Sequence, residues 1–448
     1  MIRTFVLLLF LLCCSFSRSN ADTVVENKTP PADSLNSGYT VIDSIFISGN
    51  DITIEEIILK ELPFTTGDTI QVNRLFFFEE RVFSLGIFND VKMRLKKSET
   101  KTILHIHVDE SWYIYPLPFV DFKENDWSKI SYGMNILIKN FRGRNEDLSF
   151  SFGLGYDPFY SATYIKPYLV RSQNISLYFY SQYATVSNKS LQAEAIAGTK
   201  FDNTVFTFDI GLGKRFDIYN KLEVFTSYRM IKSPFAIKGI TASGKETDIV
   251  PALAFQYSHD SRDLKQFPDR GLFYSVSSFY YGFNIDDVSY TAFNSDFRYY
   301  FPLISSFTGK IRLATRQRYG KNIPYYNYAF IGLDDEVRGH ITDRAEGKKS
   351  YVGSFEIKYP IIPMFDLFLD LPLIPRQLQQ AKTALYLTLF ADAGFVQNDG
   401  ISVNWASVYS GYGVGIAIPA LPFNLGRIEY AINKFGKGEL ILDLGISF

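Results

Sequence analysis

Cysteine is nearly missing from this 448-residue chain, and the two present, Cys13 and Cys14, are adjacent within the first apolar run. Disulfide frameworks and cysteine-ligated metals are thereby excluded from everything that follows. Histidine is as scarce, at four: His105, His107, His259 and His340. No His-Glu-x-x-His and no Gly-x-Ser-x-Gly elbow occurs, so neither a zinc protease nor a serine-hydrolase pattern is present. Neither sign of charge is in excess, with 46 basic against 47 acidic residues. That balance gives no global pull toward nucleic acid. The longest uninterrupted apolar run is residues 5–14, well short of the roughly 18–20 residues that a spanning helix needs. A helical membrane protein is excluded; one built from strands is not. What the chain has in abundance is aromatic side chains, 41 Phe, 30 Tyr and 3 Trp, or 17% of all residues. With 46% apolar residues overall, a disordered chain is also excluded.

Arg3, the apolar run and Ser19-Asn20-Ala21 together read as an export signal over residues 1–21. A lipoprotein signal at Cys13 or Cys14 is the weaker reading, because Leu12 and Cys13 precede them where a small residue is wanted. Residues 22–38, with Pro30-Pro31, read as a linker. Residues 39–112 then read as a small α+β domain of order β-α-α-β-β. A β-rich run over 41–48 closes on Gly49-Asn50. Thr53-Ile54-Glu55-Glu56 has the spacing of a capping box. A helix follows that Pro63 stops, and a second from about Asn73 should bury Leu75, Phe78, Val82 and Leu85 before a left-handed Gly86. Val91, Met93 and Leu95 share one face of a strand, and Leu104, Ile106 and Val108 one face of the next. His105 and His107 fall on the opposite face and read as exposed strand residues, not metal ligands.

From residue 113 to the end the period changes. Segments of about ten residues alternate apolar or aromatic with polar or small, as in 149–155, 175–183, 204–212, 274–282 and 383–390. Spanning strands of a transmembrane β-barrel carry this signature, and aromatic rings suit the membrane–water interface. One short helix is expected near 377–382. The chain ends on Leu440, Leu442, Leu444, Ile446 and Phe448, a strand that closure of a sheet would use. About 335 residues over sixteen strands is roughly 21 per strand and connection, comfortable for a 16-stranded antiparallel barrel.

Several motifs are more specific. The Ile-x-Gly-Asn turn, Gly67-Asp68 before the second helix and the passage through Leu85, Phe88 and Val91 resemble a polypeptide-transport-associated (POTRA) domain. Val337-Arg338-Gly339-His340, after Gly332-Leu333-Asp334-Asp335, resembles the sixth extracellular loop of the BamA/TamA family of outer-membrane insertases and translocases. Phe390-Ala391-Asp392-Ala393-Gly394 resembles that family's strand motif, and Phe355-Glu356-Ile357-Lys358-Tyr359-Pro360 the strand whose Glu points into the lumen. Asp260-Ser261-Arg262-Asp263 with Pro268-Asp269-Arg270-Gly271 resembles a family strand entry, and Asn140-Phe141-Arg142-Gly143 its first hairpin. Counted backward from the C-terminus, the Arg338 loop precedes the fifth-from-last strand. In sixteen strands that is the connection between the eleventh and twelfth.

The resemblance implies that Arg338 meets Asp392, with Glu356 close by, inside the lumen. It implies Phe390 and Gly394 as parts of the strand motif and Phe448 as the C-terminal strand signal. It also implies a bacterial outer-membrane location, a periplasmic POTRA domain that receives client polypeptides by strand addition, and assembly, insertion or translocation of those clients. Membrane lipid and periplasmic lipoprotein or chaperone subunits are the further partners it implies. Neither an enzyme, a cofactor, a bound metal nor a nucleic-acid partner is expected. The rival reading is a solute pore with no insertase activity. His340 stands where the family has an aromatic residue. The connection over 362–382 is long and apolar for a turn; it should lie along the inner membrane rim or dock the POTRA domain. Gly239-Ile240-Thr241-Ala242-Ser243-Gly244-Lys245 has phosphate-loop spacing but lacks the following Ser/Thr and reads as a loop. Asp286-Asp287 and Asp334-Asp335 read as solvated loop carboxylates.

Overall fold

The computed structural model describes residues 38–446, apart from 99–100, 123–128, 333, 344, 371, 373–374, 401–403 and 423. The export segment, nearly all of the linker and Phe448 lie outside the described residues.

The chain enters through β1 (Tyr39–Val41), β2 (Ser44–Ser48), α1 (Glu55–Leu59), β3 (Thr69–Gln71), α2 (Leu75–Phe83), β4 (Phe88–Ser98) and β5 (Lys101–Glu110). One sheet has the order β2-β5-β4, with β2 parallel to β5 and β4 antiparallel to it. The expected single strand over 41–48 is broken. Ile42 is fully buried and bonded to the Gly67-Asp68 turn, so β1 leaves the sheet and pairs with β3 instead. Phe78, Val82, Leu104, Ile106 and Val108 form the core with Ile57 and Ile58. Gly86 takes φ +69° one turn past α2, where a side chain would be strained. The capping box does not form. α1 starts after Ile54 with no side-chain cap, because the Thr53 hydroxyl is committed elsewhere.

The wall follows. Its first eleven strands are β6 (Ile114–Phe122), β7 (Ile130–Phe141), β8 (Glu146–Gly155), β9 (Phe159–Val170), β10 (Ile175–Ser187), β11 (Asp202–Arg215), β12 (Asn220–Lys232), β13 (Thr247–Asp260), β14 (Gly271–Ile285), β15 (Val288–Pro302) and β16 (Thr308–Lys321). A short hairpin, β17 (Ala329–Ile331) with β18 (Ala345–Gly347), interrupts them. The last five are β19 (Lys349–Phe368), β20 (Gln380–Gln397), β21 (Tyr409–Leu421), β22 (Asn424–Asn433) and β23 (Gly438–Ile446). They make one 16-stranded antiparallel sheet in chain order, β16 pairing directly with β19. Among the described residues no ladder joins β6 to β23, the two ends of that sheet.

Alternation decides which face is which. On β11, Phe208, Ile210 and Leu212 stand on the outer surface, the last half exposed, while Gly211 and Gly213 turn inward beneath Phe225, Lys221 and Glu223. Exposed Phe, Leu and Ile on one face recur on β8, β13 and β20. In water they would be a patch far larger than soluble proteins tolerate; against lipid they are satisfied. The inner face carries Asp296, Arg298, Arg312 and Arg316. No helix among the described residues is long and apolar enough to cross a membrane.

Two local expectations change. The helix near 377–382 is a single 3-10 turn, Arg376–Leu378, after which β20 begins. A real helix, α3 (Leu191–Ala197), lies between β10 and β11, capped by the Ser190 hydroxyl and ended by a left-handed Gly198.

The small domain sits on one end of the wall, here called the proximal rim. Asn140 of the β7–β8 turn donates to the Thr53 hydroxyl at 2.8 Å, and Ile54 N–H donates to the Gly143 carbonyl at 3.0 Å. Gly143 has φ +68°, and a Cβ there would overlap the Ile52 carbonyl oxygen. Glu61, 2% exposed, accepts from Arg215 at 2.6 and 2.8 Å and pairs with Arg81 at 3.4 Å. Arg81 donates onward to the carbonyls of Ile218 and Asp260. The long β19–β20 hairpin reaches the domain too: Asn89 donates to the Gln377 carbonyl, Lys382 pairs with Asp90 at 2.7 Å, and Met364 packs on the core. The turn before β14 folds inward beside it, with Leu264 and Phe267 buried against the same core.

Candidate functional site

The β16–β19 connection lies inside the barrel. Its Arg338 is 8% exposed, and all five guanidinium N–H groups are used. Nε and Nη2 fork onto the two Asp392 oxygens at 2.7 and 2.9 Å. Nη1 reaches Glu356 and Glu429, each at 3.0 Å, and Nη2 also reaches the Ser354 hydroxyl at 3.2 Å. The backbone N–H of Arg338 adds a bond to Asp392 at 3.1 Å. The guanidinium carbon stands 3.6 Å from the Phe390 ring centroid, a cation–π contact. A planar five-donor fork is suited to this ring of carboxylates; a lysine ammonium is not. Charges this deep are tolerated only because each is paired and bonded.

Strand alternation builds the socket. Ser354 and Glu356 are two apart on β19, as are Phe390 and Asp392 on β20, and the register sets Ser354 opposite Asp392 and Glu356 opposite Phe390. Beyond them the wall is nearly bare. Gly411 and Gly413 on β21 pair with Asp392 and Phe390, and a Cβ on Gly411 would overlap the Arg338 carbonyl. A Cβ on Gly413 would press the Phe390 ring. Gly394 leaves room for Val337, which is fully buried with Ile331, Ala345 and Val352. The loop can lie flat there because β21 beneath it carries no side chain at 411 or 413.

Asp335 anchors the loop with a charge opposite to that of Arg338. Asp335, 3% exposed, receives Arg312 and Arg316 at 2.7 Å each, and Arg312 and Arg298 both meet Asp296. The expectation of solvated carboxylates is therefore corrected at Asp335, a buried anchor; Asp334 is exposed, and its carboxylate accepts from the Phe330 N–H at 3.0 Å. The tip is tied to the last three strands. Asn433 donates to the Gly339 carbonyl at 3.1 Å, His340 Nε2 lies 3.2 Å from the Ser410 carbonyl, and Ile341 N–H donates to Glu439 at 3.2 Å. His340 is buried, bonded to Asp343 at 2.6 Å and edge-on to Tyr409.

Val337, Arg338, Gly339, His340, Glu356, Phe390, Asp392 and Gly394 are thus brought to one place. Phe448 lies outside the described residues, and His105 and His107 are far off on the small domain, both bonded to the Ser48 hydroxyl. Reading the sequence missed Glu429, Ser354 and the glycine floor. A signal for Glu429 existed: Arg427 and Glu429 share one face of a strand whose other face is Ile428, Tyr430 and Ile432.

The model of the Omp85 superfamily domain matches residues 140–448, and a POTRA model, described as a surface antigen variable number repeat, matches residues 40–111. No curated protein sequence matches the chain. Among solved structures, BamA from Haemophilus ducreyi lacking POTRA domains 1–3 is similar, with a TM-score of 0.54 and 16% identity over 90% of this chain and 83% of that one. CdiB from Escherichia coli gives a TM-score of 0.56 and 10% identity over 91% and 75%. CdiB from Acinetobacter baumannii gives 0.50 and 16% over 90% and 72%. At these identities the structural likeness speaks to fold alone; the family model covers more than two thirds of the chain. The chain belongs to the Omp85 superfamily of outer-membrane β-barrels and carries one POTRA domain.

Proposed function

We propose that the protein inserts polypeptides into the outer membrane or passes them across it, with the POTRA domain in the periplasm taking up extended clients. One observation carries this reading. The Arg338 loop is bonded to β20, β21, β22 and β23, the strands that lead up to the unladdered edge opposite β6. An open edge presents unpaired N–H and C=O groups, which a client strand can use as a template. The loop braces the wall beside that edge, so it holds the edge strand in place while hydrogen bonds are exchanged. Folding of the client in the bilayer supplies the free energy, so the reading needs no nucleotide, cofactor or chemical step. Residues 1–21 act as the export signal and are removed.

The test is reconstitution of the full-length protein in liposomes with an unfolded barrel client. Accelerated client folding, lost when a disulfide staples β6 to β23, supports the proposal. Solute conductance with no acceleration, and no effect of the staple, identifies a passive pore instead.

A further inference from the structure

A pocket of about 120 Å³ opens at the proximal rim where the POTRA domain meets the wall. By the same measure one water occupies roughly 10–15 Å³, so a phosphate-sized group fits. Its floor is Ile54 and Ile57 of the POTRA domain, and its sides carry Arg144, Lys166 and Arg171. Leu169, 40% exposed, forms its lip.

The pocket faces lipid. On β8, Leu148, Phe150 and Phe152 point outward, and the register sets Tyr164, Ala162 and Tyr160 of β9 opposite them. Lys166 follows Tyr164 by two residues and so shares that outer face, opposite Leu177 of β10. Position and polarity therefore coincide with the headgroup layer of a bilayer, with apolar wall immediately beyond.

Charge in the pocket is unbalanced. Glu56 is shared between Lys60 and Arg171, each at 3.4 Å. Glu146 is shared between Arg142 at 2.6 Å and Lys166 at 3.9 Å, the latter a loose pair. Arg144 has no ion-pair partner among the described residues. Three cations, Arg144, Lys166 and Arg171, thus line the cavity against one carboxylate, Glu56, which leaves a surplus of two positive charges. Guanidinium and ammonium groups so placed bind phosphate oxygens.

We infer that this pocket binds the phosphate group of an anionic phospholipid, whose acyl chains lie along Leu148 and Leu177. The bound headgroup bridges α1 of the POTRA domain and the barrel rim. Free phosphate has the same chemistry at the headgroup and differs in having no chains to bury.

Native mass spectrometry of the full-length protein in detergent, with phosphatidylglycerol, phosphatidylethanolamine or inorganic phosphate added in turn, tests this. The expected result is one retained phosphatidylglycerol, with phosphatidylethanolamine held at least tenfold more weakly. Arg144→Glu with Lys166→Glu should cut retention at least tenfold, and Lys232→Glu on the far rim should not. Arg144→Gln alone, in an exposed turn, serves if the double variant fails to fold, and should weaken retention several-fold. Displacement of the lipid by millimolar phosphate, with the same sensitivity to Arg144, supports the phosphate site and assigns it to a soluble ligand. Equal retention of both lipids, or retention indifferent to both Arg144 variants, overturns the inference.

Discussion

Glu429 Oε1 accepts a hydrogen bond from Arg338 Nη1 at 3.0 Å, across 91 positions of sequence, and so ties the lumenal loop to the next-to-last strand. Asp392 holds the same guanidinium through both its oxygens and also the loop backbone. The two carboxylates are therefore unequal. Glu429→Gln keeps an acceptor and relieves repulsion with Glu356, so its cost should be about 1 kcal/mol. Asp392→Ala leaves a buried cation short of its principal partner and should cost about 3–5 kcal/mol. Limited proteolysis of the folded barrel checks the order: cleavage within the loop should rise sharply for Asp392→Ala and slightly for Glu429→Gln. Equal protection of the loop in both variants would refute it.

Gly411 offers a cleaner probe, because its substitution leaves every charge in place. An added methyl would overlap the Arg338 carbonyl, which is backbone and cannot swing aside. Overpacking of this kind costs about 1–3 kcal/mol. Gly411→Ala should lift the loop from the wall, raise its protease sensitivity and slow client folding, while the heat-modifiable mobility of the folded barrel is kept. Gly436→Ala, with open space at its Cβ but φ +77°, should strain only its own turn and leave the loop protected.

The barrel was legible in the sequence because period-two alternation is a local signal, repeated in strand after strand. The Arg338–Asp392–Glu356 set was legible only through motif resemblance, since nothing local says which lumenal carboxylate a loop cation meets. The inward face of Glu429 could be read from its own strand, but its partner, like the role of Gly411, depends on register across three strands, which no short window contains. Thr53 shows the converse failure. Its spacing to Glu56 fits a capping box, but a neighbouring domain competes for the hydroxyl, and Asn140 takes it. Capping rules describe helices whose ends face water; this one is docked.

Docking of the POTRA domain should depend on Glu61 more than on any exposed pair. Its carboxylate is buried between Arg215 and Arg81, and Glu61→Ala would leave both cations without that partner. The expected loss is about 3–5 kcal/mol, against less than about 1 kcal/mol for the exposed Arg171–Glu56 pair. Hydrogen exchange of the α1 amides reads the difference. Protection should fall by at least tenfold in Glu61→Ala and hardly change in Arg171→Ala. If Arg171→Ala exposes α1 as much as Glu61→Ala does, the buried pair is not what holds the domain.

Acid should release the same contact, and the direction follows from the Glu61 carboxyl. Burial pushes its pKa up, but Arg215, Lys265 and Arg81 together outweigh that, and the docked value lies below the ordinary 4.5. Lys265, in the turn before β14, faces the same carboxylate; burial lowers its pKa to about 8, so it stays protonated through acid. Tyr168 bonds Arg215 in the same contact. The docked state therefore binds the proton less well than the released one. Its stabilisation is fully present above pH 4.5 and is lost as pH falls through 4.5 to the docked value. Asp90 acts in the same sense, since burial raises its pKa but Lys382 and Lys92 together outweigh that and hold it below 3.8. Exchange of the α1 amides should then be independent of pH between about 7 and 5, after correction for intrinsic rates, and accelerate only below about 4.5. Glu61→Gln should flatten most of that acid response and leave only the smaller part due to Asp90. An opening transition centred between pH 6 and 7 would point to a histidine instead and would rule out Glu61 as the acid-sensitive latch.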